Sequence, residues 1–183
     1  EMANTNTSLI TTLDSTDGSN QFIEPQATGG RVRIASGFIE VAGADFDAAN
    51  DTIVLCRIPA QASIKSFEFM SDDQDSGTQS LVDLGVYPAG ETTTANAINA
   101  DCYKDGATDF RGPITSWSDM RHDSTGAAAA ADITTVNQSI WQNAGVTSDP
   151  GPILYDLVLT QMATVSSTPA SFTVAFKINY VID

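Results

Sequence analysis

One histidine, two cysteines and a run of aspartates are the residues of this chain with the most chemistry to offer. His122 sits in Asp119-Met120-Arg121-His122-Asp123-Ser124. A Ser-His-Asp group works only when the three side chains converge in space, and its members rarely adjoin in sequence. No Gly-x-Ser-x-Gly elbow accompanies them either. His122 therefore reads as an exposed loop residue. Cys56 and Cys102 are too few for a disulfide scaffold. With a single His they also lack the spacing of zinc ligands. They read as two small buried thiols, and spacing alone leaves a bridge between them open.

The acidic loop Ser71-Asp72-Asp73-Gln74-Asp75-Ser76-Gly77 could surround calcium, since clustered Asp oxygens beside a glycine are good ligands. The EF-hand spacing fails, however, and no Glu closes the loop. Asp and Ser also favour turns by accepting nearby amides, so a structural turn is the expectation. Paired carboxylates could do acid–base work on glycosides, but nothing in the sequence selects a pair. Trp117 and Trp141 are the aromatics that a sugar-binding face would use, whereas core packing or subunit contact accounts for most of the others. No catalytic residue, metal or cofactor is expected.

The elements that would position these residues read as strands. From Phe172 to Asp183 the chain alternates: Phe172, Val174, Phe176, Ile178, Tyr180 and Ile182 share one side, with Val181 the apolar exception on the other. A period of two marks a half-buried strand. Val82, Leu84 and Val86 alternate within Leu81 to Tyr87, and Tyr155, Leu157 and Leu159 within Ile153 to Thr160. Thr52 to Ile58, closed by Pro59, and Ala62 to Met70 are further strands. From Arg31, Val32, Ile34 and Phe38 share one phase and Ile39 and Val41 the other, which predicts a bulge or bend near Ser36-Gly37. Short strands are expected around Cys102-Tyr103, Asp109-Phe110 and Ile114 to Trp117. Asp132 is placed to cap a short helix reaching Asn143, with Gly145 on its C-terminal side. About seven or eight strands at short spacing predict an all-β, antiparallel sandwich of jelly-roll type over residues 31–183.

Residues 1–30 form a different stretch, rich in Thr, Ser, Asn and Gly. It reads as an extended N-terminal arm. Its sparse apolar residues, Leu9, Ile10, Leu13, Phe22 and Ile23, are the candidate partner-binding residues, because a purely solvated linker has no need of them. Met2 reads as the natural start, and no signal-peptide pattern follows it. The 183 residues suit one domain beyond the arm. With 23 Asp plus Glu against 8 Lys plus Arg, the net charge is −15. Such a surface repels phosphate backbones, so no direct nucleic-acid partner is expected. No apolar run approaches the roughly 20 residues that span a bilayer, so no membrane partner is expected.

One block carries a resemblance. Thr52-Ile53-Val54-Leu55-Cys56-Arg57-Ile58-Pro59-Ala60 runs on through Ala62-Ser63-Ile64-Lys65-Ser66, Asp72-Asp73-Gln74-Asp75-Ser76-Gly77 and Val82-Asp83-Leu84-Gly85-Val86-Tyr87. Arg31 to Gly37 before it fits the same order. So do Ala100-Asp101-Cys102-Tyr103, Ser148-Asp149-Pro150-Gly151, Tyr155-Asp156-Leu157 and the Tyr180-Val181-Ile182-Asp183 ending after it. This order resembles a family of small structural proteins of tailed-bacteriophage virions, over most of residues 31–183. The resemblance implies a non-enzymatic decoration or cement protein on the outer capsid surface, assembled in the host cytoplasm. It also implies a homotrimer whose other partner is the major capsid protein. The alternative is a carbohydrate- or receptor-binding module of a head fibre or tail. A small glycoside- or ester-cleaving enzyme is a third, more distant reading.

Overall fold

The computed structural model describes residues 31–75, 77, 79–120 and 137–182. Eight strands run through them: β1 (Arg31–Ala42), β2 (Thr52–Pro59), β3 (Ser63–Ser71), β4 (Val82–Pro88), β5 (Asn99–Ala107), β6 (Ile114–Asp119), β7 (Leu154–Gln161) and β8 (Ser171–Ile182). They form two four-stranded sheets, ordered β1-β8-β3-β6 and β2-β7-β4-β5, with every pairing antiparallel. First strand pairs with last, second with seventh, third with sixth and fourth with fifth. This is the order a long hairpin takes when it rolls up into two Greek keys, so the sandwich is a jelly roll.

The core lies between the sheets. Phe172, Val174, Phe176 and Ile178 of β8 are buried, as the alternation predicts. Phe67 and Phe69 of β3 stack at 5.0 Å, and Tyr103 and Phe110 close around them at 6.0 and 6.3 Å. Phe110 belongs to a 3-10 turn, Asp109–Arg111, where a short strand was expected. The helix is likewise shorter within the described residues. It is the single turn Ile140–Asn143, entered through Ser139, whose N–H donates to Gln142 Oε1 at 2.8 Å; Asp132 lies outside the described residues. Its amides anchor on the β2–β3 corner, Ile140 N–H to the Ala62 carbonyl at 2.8 Å. Gly145 follows it with φ +79°, the left-handed conformation expected there.

One further expectation needs correction. The β1–β8 ladder runs from Arg31–Ile182 to Ala42–Ser171 without a register shift, so there is no bulge at Ser36-Gly37. The two apolar phases of β1 instead belong to the two faces of one regular strand. At the other end of the ladder, Tyr180 and Ile182 pack against the core as the alternation predicts, and Val181 is buried outside that cluster. The β3–β8 register slips between Ile64 and Ser66, so the inward phase of β3 changes from Phe69 and Phe67 to Ile64 while β8 keeps its own, with Ile64 beside Tyr180.

The second sheet has no wet face at its centre. Every residue from Val82 to Tyr87 and from Tyr155 to Gln161 is buried. Strand β5 causes part of this. Its register against β4 slips twice, so that its first residues ride over Gly85. Tyr87 then hides its hydroxyl in a hydrogen bond with the Thr160 hydroxyl at 2.8 Å.

Candidate functional site

The acidic loop holds itself together. Asp75 accepts the amides of Gly77, Gln79 and Ser80 at 2.8, 2.7 and 2.8 Å. Burial works against its charge, but those amides and the nearby Arg111 outweigh it and hold the carboxyl below its usual range. Asp73 accepts the Asp75 amide and Asp72 the Thr173 amide. All three carboxylates thus serve backbone N–H groups, as Asp does in turns. Among the described residues, no three His, Cys, Asp or Glu side chains gather where a metal could sit.

The two thiols are unbridged. Cys102 is buried, which pushes its thiol far up. Burial and, less strongly, the Asp156 charge push Cys56 up to about 12. Thiols held protonated in this way are poor nucleophiles.

Two other acids are buried on the second sheet. Asp156 receives Arg57 in a fork, Nε to Oδ1 at 2.6 Å and the terminal nitrogen to Oδ2 at 2.9 Å, plus the Gly90 amide at 2.7 Å. Burial opposes its charge, yet these bonds prevail and its carboxyl lies below the usual range. This fork ties β2 to β7. Asp83 accepts the Gly106 amide at 2.7 Å and, among the described residues, no other hydrogen bond. Burial pushes its carboxyl up to about 6 against that hydrogen bond, and the charges of Asp105 and Asp101 add to the rise.

The folded chain therefore keeps a proton on Asp83 that the unfolded chain releases near pH 4. Stability should fall as pH rises from about 4 to about 6 and then level off. Asp83→Asn should remove that slope and stabilise the protein at pH 7 by on the order of 2 kcal/mol. Urea melts at both pH values measure it; equal slopes in variant and parent would contradict the burial argument.

His122 lies outside the described residues, and so do Leu9, Ile10, Leu13, Phe22 and Ile23. Trp141 packs against the core. Trp117, on the edge strand β6, is 47% exposed, and Lys177 Nζ lies 5.2 Å from its ring centre while pairing with Glu68 at 2.5 Å. The two tryptophans thus differ: one supports the core and one faces solvent.

Alternation alone did not mark one exposed apolar surface. In β1, Val32, Ile34 and Phe38 are 68%, 62% and 78% exposed. Phe38 pairs with Ala175 and Ile34 with Asn179, while the buried Phe176 and Val174 face Gly37 and Ile39. Val32, Ile34 and Phe38 therefore lie on the outer face, and Ile39 turns toward the gap between sheets. There β1 and β2 leave the sandwich open. A depression of about 610 Å³ runs between them, floored by Leu55 and Phe176 and rimmed by Ile34, Phe38, Ile39, Val54 and Cys56. Val54 and Ile39 are more than a third exposed in it. The face can bind by apolar burial and backbone pairing, and it has no titratable pair with which to catalyse.

This fold is similar to a solved structure. A chain of the capsid of Ralstonia phage GP4 superimposes with a TM-score of 0.59 at 19% identity, covering 84% of this chain and 86% of that one. A chain of the cyanophage Pam1 capsid asymmetric unit aligns with a TM-score of 0.49 at 16% identity, over 85% and 87% of the two chains. At these identities the likeness to the GP4 chain is one of fold. No family model and no curated protein matches the sequence.

Proposed function

We propose that the protein is a non-enzymatic structural component of a tailed-phage virion, sitting on the outer capsid surface as a decoration or cement protein. The observation that carries the reading is the near-full-length fold likeness to a chain of the GP4 capsid. The order of sequence blocks, which resembles virion structural proteins, supports it independently. The chemistry agrees. Asp72, Asp73, Asp75 and Asp156 hold backbone amides or Arg57, and both thiols are held protonated. A net charge of −15 suits a surface that faces solvent rather than packaged nucleic acid. The partners in this reading are the major capsid protein and further copies of the chain in a trimer, closed symmetry being the rule for homo-oligomers.

A cement protein binds only the assembled shell, so it stabilises that shell by mass action. Shells lacking the protein should open at a lower temperature than native virions, and adding purified protein should restore the native value. Unchanged opening at saturating protein would sink the cement role.

The exposed Trp117 favours a second reading, in which the outer face of the first sheet binds a sugar in a receptor-recognition role. A glycan array probed with the protein and with Trp117→Ala separates the two. Binding lost in the variant supports the second reading, and a silent array removes it.

A further inference from the structure

Among the described residues, strand β1 has one sheet neighbour, β8, and no strand pairs with its other edge. A free edge offers a row of backbone donors and acceptors to any incoming strand. Proteins usually blunt such edges with charges, prolines or bulges. The stretch Ile34-Ala35-Ser36-Gly37-Phe38-Ile39 has no charged residue and no proline, and its ladder with β8 has no bulge. Its apolar side chains also occupy both faces, Phe38 outside and Ile39 in the β1/β2 opening. An occupant that covers this edge must therefore bring adjacent apolar residues, because neighbours on a strand point to opposite faces.

We propose that the edge receives the N-terminal arm of a second copy of this chain, added as an antiparallel strand with Phe22-Ile23 against Phe38-Ile39. The inference rests on the self-association in the proposed function and names its contact. The arm's apolar residues come largely as adjacent pairs, Leu9-Ile10 and Phe22-Ile23, the pattern this edge calls for. Thirty residues precede β1, and at roughly 3.3 Å per extended residue they reach well beyond one sandwich. Charge agrees as well. Between residues 2 and 30 the arm carries Asp14, Asp17 and Glu24 but no Lys or Arg, and β1 opens with Arg31 and Arg33. The antiparallel direction sets Glu24 opposite Gly37, on the Arg33 side of the pair; a parallel strand would set it opposite Glu40.

The chain's own arm fits less well. Turned back through a two-residue hairpin at Gly29-Gly30, it would place Thr28 opposite Arg31. Counting along that register sets Gln21 against Phe38 and Asn20 against Ile39, so polar residues would meet both apolar ones. An arm from a neighbour is free of that constraint.

The test uses the full chain with Cys56→Ala, since Cys56 rims the opening; Cys102 stays in place, being buried. One chain carries Ile23→Cys and the other Phe38→Cys, which the antiparallel register sets opposite one another, with tags of different mass. They are co-expressed and treated with a short bismaleimide. A mixed-tag cross-link is expected, and Phe22→Asp in the arm-labelled chain should abolish it. The doubly substituted single chain, assayed in dilute solution, should cross-link between chains. An internal cross-link there would assign the edge to the chain's own arm and overturn the proposal. An intact oligomer by sedimentation with no cross-link would also overturn it, while leaving self-association standing. A monomer with no cross-link would remove both.

Discussion

Replacing Phe67 by Ala should cost about 3–5 kcal/mol of folding stability. Phe67 has no solvent exposure, and it lies on β3 with β8 on one side and β6 on the other. Its ring stacks on Phe69 at 5.0 Å with the planes 9° apart, and Tyr103 reaches it from the opposite sheet at 6.0 Å. Truncation removes a large apolar surface and leaves a cavity in the middle of the sandwich. The flanking strands cannot close on it without disturbing ladders on both sides, which places the cost in the upper part of the Phe→Ala range. Urea melts should show a lower midpoint with an unchanged slope. A loss below about 1 kcal/mol would mean that the two sheets do not meet at this ring.

The second large effect should come from a single methyl. Gly85 is the one small residue on the buried central strand β4. A Cβ built there would overlap the backbone of Asn99 and Ala100, where β5 crosses over the sheet. Backbone cannot rotate away as a side chain can, so Gly85→Ala must push β5 off β4. Overpacking of this kind costs about 1–3 kcal/mol, and the rigid neighbour argues for the upper end. The displaced strand carries buried Cys102, so thiol labelling of native protein should rise in the variant alongside the loss of stability. Wild-type stability with a silent Cys102 would contradict the register assigned to β5.

How much of this was legible in the sequence depends on the strand. β8 announced itself because its period of two matches one dry face and one wetter face, and its buried phenylalanines follow that pattern. β1 was harder. Apolar residues in both phases suggested a bulge, whereas they mark an edge strand apolar on both faces. Alternation reports that a residue is apolar; it does not report which neighbour covers it. The change of inward phase in β3, from Phe67 to Ile64, depends on a register slip against β8, more than a hundred residues away, which no local pattern encodes. Asp109-Phe110 looked like a strand because its aromatic is buried, but a 3-10 turn buries one ring equally well.

The chemistry was easier to read than the surface. The acidic loop was expected to be a turn, and Asp73 and Asp75 do accept local amides, while Asp72 accepts one from β8. Cys56 and Cys102 were expected as small buried thiols; Cys102 is buried, Cys56 is half-buried, and burial raises both. The raised acid Asp83 was missed: it looks like any polar residue within an alternating strand. Its signal was faint but present, since an Asp on the wet side of a strand loses its solvent if that side is covered. The β1/β2 opening was invisible for the same reason as the exposure of β1. It exists because two edges, distant in sequence, stand side by side.

The most direct test of the central claim is a cryo-electron reconstruction of the phage particle. The account predicts density for this eight-stranded sandwich on the outer face of the shell, in trimers seated on the major capsid protein. Density for the chain only in the tail or on the inner wall, or none on the particle, would contradict it.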